Sequence, residues 1–237
     1  MMIMAPNIIM TPMTTETQKL LRLQSWLSPA FPIGAFSYSH GLEYAVERGL
    51  VHDRESLVDW LDGDLRHGSG RNEAIFLATA LDADDDARFA EIAAVAAAGF
   101  STAELALEGL SQGEAFLLTV QKAWPHDDLG KQIERLAVRP SHAIAVAMAC
   151  RAHGIDGGLA LHLFLQAWLA NLINAAVRLV PLGQTDGQRA QAALEAAVLD
   201  IADFAISATL DDLGSAALMV DWASMQHETQ YTRLFRS

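Results

Sequence analysis

The sequence predicts an all-α fold, a single-domain helical bundle of about eight to ten helices. Two observations carry this. Apolar residues recur at helical spacing almost throughout a chain dominated by alanine and leucine and sparse in β-branched residues. No strand-like alternation persists over a useful length, and no fixed-period repeat or Gly/Ser-rich linker divides the chain. With 237 residues, 51% of them apolar and 19% charged, it buries a substantial core and is too apolar to be disordered.

The elements follow in order. Residues 1–13 are apolar, hold five of the eight methionines, carry no Lys or Arg and are broken by Pro6 and Pro12. A signal peptide needs a basic start and an unbroken apolar run, so residues 1–18 are expected to form a flexible N-terminal tail, with a functional start at Met13. A first helix covers about residues 16–27 and stops before Pro29. Residues 28–41 hold two prolines and two glycines, Pro29, Pro32, Gly34 and Gly41, and predict a structured loop. Ser37 or Ser39 suits the N-cap of the next helix, and Gly49 its end.

Asp53 caps a helix to about residue 66, and the Gly-Ser-Gly at 68–70 breaks the chain. Helices at about 71–81 and 87–98 flank an acidic turn. Thr102 caps a long helix ended by Pro125. A short helix near 129–136 precedes Pro140, and the helix at 141–153 ends at Gly154. Residues 158–180 are the most apolar stretch. Their polar residues His162, Gln166, Asn174 and Arg178 share one i, i+4 track, which a lipid-exposed helix would not keep. This predicts a buried helix with an internal polar seam, which hydrogen-bonds its neighbours or lines a passage. Residues 181–188 form a second compact loop with Gly183, Gln184, Gly187 and Gln188, leading into a helix to about residue 210. Residues 19–224 thus make the all-α domain, and 225–237 a polar, basic-ended tail.

The balance of 16 Lys and Arg against 29 Asp and Glu, a net −13, disfavours nucleic acid and anionic membranes as partners. The lone Cys150 forms no intramolecular disulfide or thiolate cluster, consistent with a cytoplasmic location. Patterns for chemistry fail one after another. The aspartate pairs 84–85, 127–128 and 211–212 are followed by Arg88, Lys131 and Ser215 where a diphosphate-binding DDxxD needs aspartate. His227 and Glu228 begin an HExxH-like run that ends in Tyr231. No phosphate loop, dinucleotide fingerprint or GxSxG elbow occurs. The expectation is a binding or assembly protein, not an enzyme, with no cofactor and no local metal site.

Three segments exceed what a core requires. Phe36, Ser37, Tyr38, Ser39 and His40 sit in a glycine-hinged loop, where aromatic side chains make good interface anchors. The 183–188 loop carries two Gly-Gln pairs. The C-terminal tail places Leu234 and Phe235 between Arg233 and Arg236, a pattern suited to ordering on a partner.

At these segments, from Pro32 through Gly41 to Glu43, from Arg178 to Gln188, and from residue 224 through His227 and Glu228 to Ser237, the sequence resembles the urease accessory protein UreF family. The resemblance runs over about residues 20–237, with His40 where many members carry glutamine. It implies an all-α, non-enzymatic chaperone that forms homodimers, binds a UreD (UreH)-type accessory protein and a UreG-type GTPase, and docks on apo-urease for GTP-dependent nickel insertion. Carried over by position, Tyr231, Arg233, Leu234, Phe235, Arg236 and Ser237 contact the partner. The competing reading is a nickel carrier that binds the metal through dispersed histidines such as His40 and His227.

Overall fold

A computed structural model describes residues 15–237. Most of the expected N-terminal tail lies outside the described residues. Residues 16–18 already belong to the first helix, where Thr15 and Gln18 form a capping box.

The described chain is helical throughout, with no strand, in twelve α-helices: α1 Glu16–Trp26, α2 Leu42–Glu47, α3 Arg54–His67, α4 Ser69–Leu81, α5 Asp86–Ala98, α6 Ala103–Ala123, α7 Asp127–Arg135, α8 His142–His153, α9 Gly157–Leu179, α10 Gln184–Ala193, α11 Glu195–Ser207 and α12 Leu218–His227. The class is the expected one, and the count exceeds eight to ten. The continuous helix expected up to about residue 210 is broken at Leu194 into α10 and α11, and the apolar start of the last segment forms α12. Periodicity does not mark a break whose two halves both keep helical spacing.

Local signals behave as their chemistry dictates. Asp53, Thr102 and Ser141 accept the N–H groups of Ser56, Leu105 and Ile144 and start α3, α6 and α8. Gly154, at φ +61°, ends α8. Two expected loops prove mostly helical. At 68–70 only Gly68 leaves helical geometry, because Asp64 turns back to accept the Ser69 N–H at 2.8 Å and starts α4 at once. At 184–188 the chain is the first turn of α10, and Gly187 allows close approach to α9: a Cβ there would stand 3.1 Å from Val177.

The core centres on α8. Every residue from His142 to Cys150 is buried, and α8 packs on α6 and α4 while also touching α7 and α9. Alanine at 143, 145, 147 and 149 keeps these helix axes close. By length and composition α9 could cross a membrane, with half of its most apolar window buried inside the protein. Its apolar face (Leu161, Phe164, Leu165, Leu169) supplies the core. The polar seam is therefore not internal. Asn174 is exposed, and His162, Gln166 and Arg178 are half-buried on the outward side. The His162 ring bonds the Gly158 carbonyl of its own helix at 2.7 Å. Once the apolar face is committed to the core, the opposite stripe must face out.

Candidate functional site

Two of the three motif segments meet directly, and the third lies beside them. The chain turns through Gly34 (φ +78°), His40 (φ +58°) and Gly41 (φ +78°) before α2. Gly41 is required twice over: its φ is left-handed, and a Cβ would stand 2.8 Å from the Ser224 backbone nitrogen on α12. His40 holds a left-handed conformation without being glycine, a local strain that the surrounding contacts must offset.

Against this turn lies the C-terminal segment. The Ser39 N–H donates to the Ser237 main-chain oxygen at 2.8 Å, the Ser39 hydroxyl donates to the same oxygen, and the Arg236 N–H donates to the Ser37 carbonyl at 2.8 Å. Glu43, buried on α2, accepts the N–H groups of Leu234 and Phe235 at 2.6 and 2.9 Å. The tail thus orders on its own chain rather than awaiting a partner. Its polar sequence gives no hint of this, because the acceptors belong to distant helices.

Beneath the tail, His227 at the end of α12 is fully buried between carboxylates. Its Nδ1 lies 2.7 Å from Glu104 and its Nε2 3.1 Å from Glu43. A carboxylate only accepts, so the trio is satisfied when both ring nitrogens carry a proton or one carboxyl does. Burial pushes the Glu104 carboxyl upward, opposed by His227 and by Arg233 at 3.1 Å. A second chain of contacts runs alongside. The Ser237 hydroxyl donates to Glu108 at 2.8 Å, the same oxygen lies 3.3 Å from His40 Nδ1, and His40 Nε2 reaches Ser69 Oγ at 2.7 Å and Asp64 at 3.4 Å. Burial disfavours charge on His40, but Glu108, Asp64 and Glu73 outweigh it and raise its pKa to about 9.

Arg178 ties the third side. Its guanidinium stacks 3.7 Å from the Phe36 ring and 4.3 Å from the Phe235 ring, and it donates to the Phe36 carbonyl at 2.6 Å. The seam residue closest to the 181–188 segment is therefore the one that joins loop and tail.

The predicted site residues divide by depth. Tyr38, Ser39, His40, Gly41, Glu43, Gly187, His227, Phe235 and Ser237 are buried and hold the arrangement. Pro32, Gly34, Phe36, Gly183, Gln184, Gln188, Glu228, Tyr231, Arg233, Leu234 and Arg236 are exposed, and Ser37 is intermediate. Sequence reasoning missed Glu104, Glu108 and Gln112. A signal existed: they occupy one i, i+4 track that continues into the buried Phe116 and Val120. No group of three or more His, Cys, Asp or Glu placed to hold a metal occurs among the described residues.

Comparison with known proteins points one way. The UreF family profile matches residues 51–195. The chain is 49% identical over 225 residues to a protein named urease accessory protein UreF from Rhodopseudomonas palustris (strain BisB5), covering 94% of this chain and 93% of that one. It is 48% identical over 227 residues to the protein of the same name from Granulibacter bethesdensis, covering 94% and 96%. A third, from Magnetococcus marinus, is 45% identical over 232 residues, covering 95% and 100%.

Proposed function

The chain belongs to the UreF family of urease accessory proteins, and from that premise we propose that it acts as a non-enzymatic cytoplasmic scaffold for urease maturation. In this reading it forms homodimers and binds a UreD (UreH)-type accessory protein. It also recruits a UreG-type GTPase and presents both to apo-urease for GTP-dependent nickel insertion, nickel being cargo.

The observation that supports this reading best is the division of the tail by depth. Buried Glu43, His227 and Phe235 fix a surface on which Tyr231, Leu234 and Phe36 stand 103%, 59% and 73% exposed. Large apolar and aromatic side chains exposed on an ordered backbone are the anchors protein interfaces use. Preceding the tail, α12 leaves Leu218, Met219, Trp222 and Met225 exposed as well. The net charge of −13 favours encounter with basic partner surfaces.

The test is co-purification of tagged protein from urease-expressing cells, with partners identified by mass. Deleting residues 231–237 would uncover Glu43, so surface substitutions are the sharper probe. The triple variant Phe36→Ala, Tyr231→Ala, Leu234→Ala is expected to lose its accessory partners while keeping its helicity, with a melting temperature lowered by no more than about 4 °C through loss of the Phe36–Arg178 stacking. Full retention of those partners would refute the assignment of this surface.

A further inference from the structure

Beside the tail, sharing His40 and Glu108 with it, lies a cavity of about 370 Å³. That is the small end of the ~300–1,000 Å³ range of small-molecule sites. Its walls are apolar and come from separate elements: Phe76 of α4, Val95 of α5, Phe100, Leu105 of α6, Trp168 of α9 and Leu213. The polar lining includes Glu73, Glu108 with the Gln112 amide donating to it at 3.2 Å, the His142 ring, and Asp221 tied to Ser101 and Ser215. No Lys or Arg lines it.

Two features of the lining are unspent. The Glu73 carboxylate accepts one N–H, from Ala143 at 3.2 Å, and burial raises its pKa to about 7. His142 is 8% exposed and its Nε2 has no hydrogen-bond partner. Burial lowers its pKa to about 4, so the ring is neutral and keeps one accepting nitrogen. Charge is unbalanced too. Among these groups His40 is the cation, in contact with Glu108 and Asp64 at 3.3 and 3.4 Å and acting on Glu73 only at longer range, so no cationic side chain among the described residues touches Glu73.

We propose that this cavity binds a small organic cation, a primary ammonium or guanidinium on a short aliphatic stem, with its head at Glu73 and its stem against Phe76, Trp168 and Leu213. A donor-only head matches the accepting capacity left on Glu73 and the unpartnered ring of His142. An aliphatic stem matches apolar walls that a bare inorganic ion would leave unfilled. The same chemistry arrives as a free amine or as the side chain of a lysine or arginine on a docked protein. The site is separable from the scaffold reading, because its probes need no partner.

The test titrates the full-length chain with n-butylammonium and n-butylguanidinium chloride, by calorimetry and by NMR of the tryptophan indole N–H groups. Saturable one-to-one binding that shifts the Trp168 signal is expected, with n-butanol and butyrate inert. Glu73→Gln should weaken binding at least tenfold. Val95→Trp, which adds bulk to an apolar, partly exposed wall of the cavity, should abolish it, and both variants should keep wild-type helicity. Affinity should rise as the pH passes about 7, where Glu73 ionises among His40 of the loop, Glu108 of α6, His142 of α8, Asp64 of α3 and Asp221 of α12. Acetylated tripeptide amides with a central lysine or arginine distinguish the sources: their entry identifies a side chain, and their exclusion a free amine. The proposal is overturned if neither cation saturates the folded protein, if n-butanol binds as well, or if Val95→Trp binds normally.

Discussion

Helix α8 is buried along its length and the C-terminal segment only at Phe235 and Ser237, and different forces hold the two in place. From Ala143 to Cys150 every α8 side chain is apolar or a thiol at 0% exposure. Attraction there is non-directional and grows with area removed from water. The tail buries Phe235 and Ser237, but it is placed by hydrogen bonds to Ser37, Ser39, Glu43 and Glu108. Carboxylates brought into the interior stabilise nothing unless each is paired. The core therefore tolerates changes of shape better than changes of polarity, whereas the tail depends on single partners.

The largest effect that sharpens this contrast is a charge in α8. Ala147→Asp is expected to cost about 5 kcal/mol or more and abolish cooperative folding, measured by urea unfolding. Next comes the tail. His227→Ala leaves Glu43 and Glu104 buried without their shared partner, a loss of about 3–5 kcal/mol by analogy with other broken buried pairs. Because the damage is local, limited proteolysis should release residues near 231–237 while helicity persists. If the tail stays protected, the polar network is not what holds it.

A third test uses pH. The His40 pKa is raised from 6.5 to about 9, so its contribution is complete below 6.5 and lost as the pH rises through 9. Glu73 is raised from 4.5 to about 7, so the native state keeps a proton that the unfolded chain has released, and stability also falls between those values as the pH rises. His142, lowered from 6.5 to about 4, acts in the other sense and removes stability as the pH falls through that window. Urea midpoints should therefore decline from about pH 6.5 to about pH 9, with Glu73→Gln making the profile shallower only below about pH 7 and leaving the His40 decline above it. A flat profile would mean that these groups do not titrate as the buried network requires. The smallest effect belongs to the rim. Arg178→Ala removes the stacking on Phe36 and Phe235 and should cost about 1 kcal/mol, read as faster hydrogen exchange at residues 234–237.

Much of the fold is legible in the sequence. Helix class follows from spacing, and Asp53, Thr102, Ser141 and Gly154 mark their boundaries because capping is chemistry between near neighbours. The unusual segments were also legible, as residue types a core does not need. Less legible were the break at Leu194 and the helical start at Gln184, where both alternatives satisfy the same local rules. The polar seam was misplaced because periodicity shows that residues share a face and leaves open which way that face points.

What the sequence determined by itself is local: helix, cap, turn and the family to which its motifs are similar. What the tertiary structure alone decided is which distant groups meet. Glu43 lies 184 positions from His227 and 192 from Phe235, yet all three converge on one buried point. A hydrogen bond acts over about 3 Å whatever the separation along the chain. Such pairings become visible only once packing has brought the helices together.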